Sequence, residues 1–315
     1  MIKAILGGII LVGIIIGVIK AFPILGIALA VVAAGVVIYL IIKFVNKKKE
    51  RDSLSIKLEQ EKSEKKTLLS KQEQEKRERE EKRKRFLENK SKEFNDELTS
   101  IEAVPVAVTD RKCPKRALDE MPEIKYSKIT RQTNIDNLFP LVIIDVETTG
   151  LHCRKNEIIE VSAIKYEADF TPDYCFTTLC KPKNPLPDEI KDITNITDDM
   201  LADAPAFENV VDSLGDFIKG CNVFGYNLEF DLKFLFVHGL NLPEKKRYYD
   251  VMELVKSKLK RAPYNSDSYN YDVLDYKLDT IAKYYNIYRD NAHRSLSDCL
   301  ATGKVLKELI EEFIK

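Results

Sequence analysis

The sequence contains no CxxC pair, and its six cysteines (Cys113, Cys153, Cys175, Cys180, Cys221 and Cys299) are widely scattered over 315 residues. That spacing excludes a disulfide scaffold and argues against a structural zinc site, so the thiols are read as free, in a reducing compartment. Net charge is absent too, with 50 basic side chains against 50 acidic ones. Neutrality excludes little here, because the charge is unevenly spread. Residues 1–49 carry six lysines and no acid, whereas residues 141–315 sum to about −8. The length allows one or two domains, and the composition divides the chain into unlike pieces.

From Ala4 to Ile19 every residue is apolar or glycine, and after Lys20-Ala21-Phe22-Pro23 a second such run extends from Ile24 to Ile42. As helices these runs would measure about 24 and 28 Å, against roughly 30 Å of hydrocarbon in a bilayer. A tight hairpin of transmembrane helices broken at Pro23, over residues 1–46, is the preferred reading, with Gly13 and Gly17 spaced for close helix approach. One span with an interfacial first segment is the alternative. A cleaved signal peptide fits less well, because the apolar stretch far exceeds its usual core. Lys43, Lys47, Lys48 and Lys49 place the remainder of the chain on the cytoplasmic side of a membrane by the positive-inside rule.

No glycine or proline occurs in residues 47–98, and Glu61 with Lys65 and Glu75 with Arg79 stand four apart, as in a long solvated helix. Leu54, Ile56, Leu58, Leu68, Leu69, Phe86, Leu87, Phe94 and Leu98 do not sustain a heptad, so a charged helical stalk is expected, with a coiled coil or self-association as the alternative. Prolines 105, 114, 122 and 140 make residues 99–138 a linker with at most a short helix near 130–138. The folded domain is then expected over 139–315.

Three acidic points punctuate that last region. Leu141-Val142-Ile143-Ile144-Asp145-Val146-Glu147-Thr148-Thr149-Gly150 reads as a buried strand ended by a turn, and Asp145 and Glu147, two apart, project from one face. Two carboxylates so placed repel each other and are costly to bury, and hard oxygen ligands suit a divalent cation such as Mg²⁺ or Mn²⁺. In the second segment, Val223-Phe224-Gly225 is a short strand followed by a helix over 227–236. Asn227 and Asp231 share a face of that helix, and Phe230 with Phe234 forms an apolar pair. Asn227 could equally be an N-cap. In the third, His293 precedes a final amphipathic helix whose first turns carry Asp298, so both can face one pocket. Taken alone, a histidine at that place is more often structural, and His152 and His238 have no acidic company at all.

The ordered set D-x-E, N-x-x-x-D and H-x-x-x-x-D, over about 155 residues, resembles the DEDDh class of 3′ to 5′ exonucleases, which includes the proofreading subunits of bacterial replicative DNA polymerases. The segment from Ile190 to Phe207 also looks like that family's connection between its first two motifs. The resemblance covers about 139–315 and implies an α/β, ribonuclease-H-like mixed sheet flanked by helices. It further implies two Mg²⁺ or Mn²⁺ ions on Asp145, Glu147, Asp231 and Asp298, with His293 as general base. Thr148, Asn227 and Phe230 would touch the substrate, a single-stranded nucleic-acid 3′ end. By charge and stacking Lys256, Lys258, Lys260 and Arg261, near Tyr264 and Tyr269, could guide that strand, and a solvated helix end is an equal reading of them. Tyr226 stands where the family usually has histidine, and Asn195 where it often has glycine. An RNA-trimming enzyme, a non-catalytic nucleic-acid-binding module and a membrane scaffold are the rival readings; a non-catalytic domain would have no physical reason to keep mutually repelling acids.

Overall fold

The computed structural model describes residues 14, 16 and 23–315, apart from 111–114, 243–246, 263–270, 290–292 and 315. Two compact units emerge, Met1–Arg83 and Lys84–Lys315. Helix α1 (Pro23–Ser100) begins with proline at its first position, where the missing N–H is no loss. Its apolar N-terminal part is long and apolar enough to cross a membrane, and its valines and isoleucines from Ile27 to Ile42 are exposed. Among the described residues this is one such helix, not the expected pair. Apart from Ile14 and Ile16, the first apolar run, with Gly13, Gly17 and the turn before Pro23, lies outside them. Farther along α1, Leu54, Ile56, Leu58, Leu68 and Leu69 stand exposed among charges.

The second unit is built on a six-stranded sheet in the order β1-β4-β3-β2-β5-β6. The strands are β1 (Glu102–Ala103), β2 (Leu141–Thr148), β3 (Ile158–Tyr166), β4 (Pro172–Leu179), β5 (Asn222–Gly225) and β6 (Tyr248–Asp250). β2 pairs antiparallel with β3 and parallel with β5, so the mixed sheet is present, and β2 falls within the strand expected from Leu141 to Gly150. Helices α2 (Asp188–Thr194), α3 (Asp198–Leu201), α4 (Val211–Phe217), α5 (Leu228–Val237), α6 (Val251–Lys258), α7 (Leu278–Tyr284) and α8 (Ser295–Ile314) complete it.

Both faces of β2 are covered, which is why it reads as a continuous apolar run. Val142, Ile144 and Val146 pack with Leu214 of α4 and with Leu228, Leu232 and Leu235 of α5. Leu141 and Ile143 pack on the opposite side, with Val255 of α6, Ile281 of α7 and Leu300 and Val305 of α8. Alternation therefore turns Asp145 and Glu147 toward α8. Gly303 lets α8 lie close to the sheet, because a Cβ there would collide with the Tyr166 ring.

The second unit starts earlier than composition predicts. Phe94 and Ile101 are buried in the α8-side core, and Glu97 near the end of α1 pairs with Lys304 of α8. The described residues of 99–138, expected as a linker, instead cross the domain. β1 adds a parallel edge strand to β4, Thr109 N–H donates to Asn209 O, Arg116 N–H to Val237 O, and Ser127 N–H to Tyr248 O beside β6. Val104, Val106, Leu118, Met121 and Ile124 pack along the way, and Ile129 and Leu138 are buried. Val104 and Val106 fall in the short apolar run 103–108, which Pro105 interrupts, and the later ones are scattered among polar residues, so no sustained periodicity announces the packing. The short helix near 130–138 is a 3₁₀ turn over Ile135–Leu138.

Candidate active site

The site lies at the end of β2. Asp145 stands opposite Ser162 and Glu147 opposite Glu160, and the ladder shifts register between Glu147 and Thr148, so the strand bends as it leaves the sheet. Both acids are half-buried on the α8 side. The hydroxyl of buried Thr148 donates to Gly150 O at 2.8 Å and closes the turn beyond.

α5 supplies the third acid. Asn227 takes a left-handed conformation (φ 59°, ψ 44°) that turns the chain from β5 into the helix, a conformation asparagine tolerates better than most residues. Its side chain caps nothing and is exposed, so the N-cap alternative is not realised; its N–H donates to Asp250 Oδ1 at 3.1 Å. One turn on, Asp231 is 3% exposed and accepts the Val146 N–H at 3.0 Å, between the two strand acids. Phe230 is half-buried, its ring 4.9 Å from that of Phe234.

α8 supplies the fourth. Asp298 is buried in its first turn, and exposed His293 precedes the helix in a left-handed conformation (φ 64°). Glu147, His293 and Asp298 each bring a ligand atom to within 4.8 Å of the other two.

Burial, then the charges of Asp231, Asp298 and Glu147, hold the Asp145 carboxyl well above its usual range. Burial first, then Asp298, Glu160 and Asp231, push Glu147 up to about 8. Asp231 is raised by burial and pulled back in part by the Val146 N–H. Asp298 reaches about 6, raised by burial and lowered by Arg289. Four crowded carboxylates that resist ionising together, with an imidazole beside them, are a donor set suited to a hard divalent cation, whose charge would favour their ionised forms.

Arg289, Asp279, Glu160 and Arg294 had escaped the sequence reading. Arg289 donates from Nε and Nη2 to Asp298 Oδ1 and from Nη1 to Asp279 Oδ1 of α7 at 2.7 Å. Glu160 is buried and accepts from Arg294 (Nη2, 2.6 Å) and from the Ser295 N–H (2.8 Å), which ties the start of α8 and the residue after His293 to β3. A charged residue inside the run Ile158-Ile159-Glu160-Val161 was the available signal for that anchor. Arg289, in a loop nine positions before Asp298, gave none.

The two departures from the family pattern have local explanations. Asn195 ends α2 at φ 56°, a left-handed position for which asparagine is the usual substitute for glycine. The Tyr226 hydroxyl donates to Tyr276 O at 2.7 Å. Of the basic group, Lys256 pairs with Glu253 (2.6 Å), Lys258 with Glu312 (3.6 Å), and Arg261 lies over the Tyr276 ring; Tyr264 and Tyr269 fall outside the described residues. His238 is buried against Glu208 and Asn156 O, as a structural histidine would be, and His152 is exposed. Cys153, Cys175, Cys180, Cys221 and Cys299 are free and buried; Cys113 is outside the described residues.

A DNA polymerase III of PolC type from Caldanaerobacter subterraneus subsp. tengcongensis is 30% identical over 173 residues, 54% of this chain but only 12% of that protein. The DNA polymerase III subunit epsilon of Aquifex aeolicus is 29% identical over 182 residues, 58% of this chain and 85% of the relative. Among solved structures, exonuclease X in complex with 5′ overhanging duplex DNA aligns with TM-score 0.42 and 22% identity, over 55% of this chain and 92% of that one. Exonuclease I of E. coli with a dT13 oligonucleotide gives 0.45 and 18%, over 53% and 40%. The family model described as Exonuclease matches residues 142–306, just over half of the chain and a span holding all four acids and His293, and the chain belongs to that exonuclease family.

Proposed function

We propose that this chain is a DEDDh-type, divalent-metal-dependent 3′ to 5′ exonuclease that removes 5′-mononucleotides from single-stranded DNA ends and is tethered to a membrane by its N-terminal segment. One observation carries the reading: a strand end, a helix start and the last helix bring Asp145, Glu147, Asp231, Asp298 and His293 to one place. Asp145, Glu147, Asp231 and Asp298 would hold two Mg²⁺ or Mn²⁺ ions. Bound there, such ions supply charge stabilisation to the attacking and departing oxygens of the phosphodiester. His293 is exposed at the edge of the cluster and accepts the proton of the attacking water, a step worth about 10² to 10⁴ in rate. Asn227 offers an uncommitted side-chain amide and Phe230 a partly open ring to the terminal nucleotide.

The test is cleavage of end-labelled single-stranded DNA and RNA by the full chain, with Mg²⁺ or Mn²⁺ and with chelator. Mononucleotides should appear from the 3′ end of DNA only with metal, Asp145→Ala should abolish them, and His293→Ala should retain metal binding while losing about 10² to 10⁴ in rate. Faster cleavage of RNA would make the enzyme an RNA-trimming exonuclease, and metal-independent cleavage or an active Asp145→Ala variant would refute the site.

A further inference from the structure

Arg289 is a cation inside a site that the proposed function reserves for cations. Its side chain is only 5% exposed, yet it belongs to the loop between α7 and α8 and not to the rigid elements that carry the acids. Coulomb's law alone makes it an obstacle, because a guanidinium against Asp298 repels an incoming divalent ion. The hydrogen bonds point the other way. Nε and Nη2 both donate to the same oxygen of Asp298, Oδ1, so Oδ2 receives none of the guanidinium's bonds. The third nitrogen, Nη1, is held by Asp279 in the first turn of α7. A planar fork anchored at its far side thus fixes the rotation of the Asp298 carboxylate, which has a ligand atom within 4.8 Å of those of Glu147 and His293.

Resting on that metal-site reading, we propose that Arg289 is a positioning residue for Asp298: it grips one carboxylate oxygen, with Asp279 as its own anchor, and so presents the other to a divalent cation. Ligands of a metal are commonly oriented by such outer partners, and losing one weakens binding about 10- to 100-fold. Lysine carries the charge but cannot place two N–H groups on one oxygen from a fixed plane.

The two roles predict opposite signs. Mn²⁺ binding to the full chain, purified in detergent, is measured by titration calorimetry for the wild type and for Arg289→Ala, Arg289→Lys and Asp279→Asn, with circular dichroism to verify folding in chelator. Positioning requires about 10- to 100-fold weaker Mn²⁺ binding in Arg289→Ala, little recovery in Arg289→Lys, and a smaller loss in the same direction in Asp279→Asn. Equal or tighter binding in Arg289→Ala, or full recovery in Arg289→Lys, overturns it, since the residue would then be a bystander, a competitor or a simple charge. Should Arg289→Ala not fold, Asp279→Asn decides, because unchanged Mn²⁺ affinity there removes the anchor and the proposal with it. A wild-type chain that binds no Mn²⁺ would instead refute the metal-site reading itself, an outcome distinct from variants that match a binding wild type.

Discussion

Glu147 faces Glu160 across the β2–β3 ladder, and like charges placed so are destabilising unless something else holds them. Glu160 has its own partners in Arg294 and the Ser295 N–H, whereas Glu147 shares its surroundings with Asp298, Asp231 and Asp145. The consequence is a linkage between stability and pH. Glu147 rises from 4.5 to about 8 on folding and Asp298 from 3.8 to about 6, so between those limits the folded chain binds more protons than the unfolded one. Stability from these groups is full below about pH 4 and is lost as pH rises through 6 and then 8. In chelator the unfolding temperature should therefore fall between pH 5 and 8, and added Mg²⁺ or Mn²⁺ should restore it, more at pH 8 than at pH 5, because the ions compete with protons. Thermal unfolding over that range, with and without metal, measures it; a flat profile in chelator would show that the acids are not crowded as described. The strand acids were legible from their spacing alone, since period two leaves no other face for Glu147 once Asp145 is placed. Arg289 was not, because a loop residue's partner is set by tertiary approach and not by periodicity.

At the scale of elements, β2 and the last helix were readable for different reasons, β2 as an apolar run covered on both faces and ended by a turn, the helix as apolar positions at helical spacing. What failed to show was the boundary. The last turns of α1 have the same charged composition as the rest of that helix, and Phe94 looks in sequence like Phe86. The structure separates them: Phe94 is 3% exposed within the α8-side core and Phe86 is 56% exposed. Phe94→Ala should therefore cost about 3 to 5 kcal/mol, a large share of the roughly 5 to 15 kcal/mol typical of a domain. Phe86→Ala should stay within about 0.5 kcal/mol. Denaturant unfolding of the two variants decides whether the helix end belongs to the folded unit, and equal effects would detach it. By the same argument the described residues between β1 and Leu138 are tied to the domain by single hydrogen bonds, the Thr109, Arg116 and Ser127 N–H groups donating to the Asn209, Val237 and Tyr248 carbonyls, a pattern that no local signal encodes.

For the whole molecule the charge distribution bears on both the proposed substrate and the proposed membrane attachment. Acid is concentrated in the unit that would meet a polyanion, and the lysine cluster Lys43, Lys47, Lys48 and Lys49 comes after the exposed apolar part of α1. An acidic enzyme on nucleic acid depends on its metal ions to reverse the local sign, so the tether, by fixing where the domain works, would supply what long-range attraction to substrate cannot. The proposed membrane attachment has two physically separable parts. Lysine attraction to anionic lipid fades within a Debye length, about 3 Å at 1 M salt, whereas burial of apolar side chains in hydrocarbon is not screened. If α1 inserts, the full-length protein should stay with the membrane pellet through a wash in about 1 M salt and leave only in detergent. With the lysines on the cytoplasmic side, protease added from that side should cut the exposed charged stretch before Lys84 and release a soluble, metal-dependent nuclease fragment. Release of intact protein by salt alone would reduce the attachment to surface electrostatics, and resistance to protease from the cytoplasmic side would reverse the orientation.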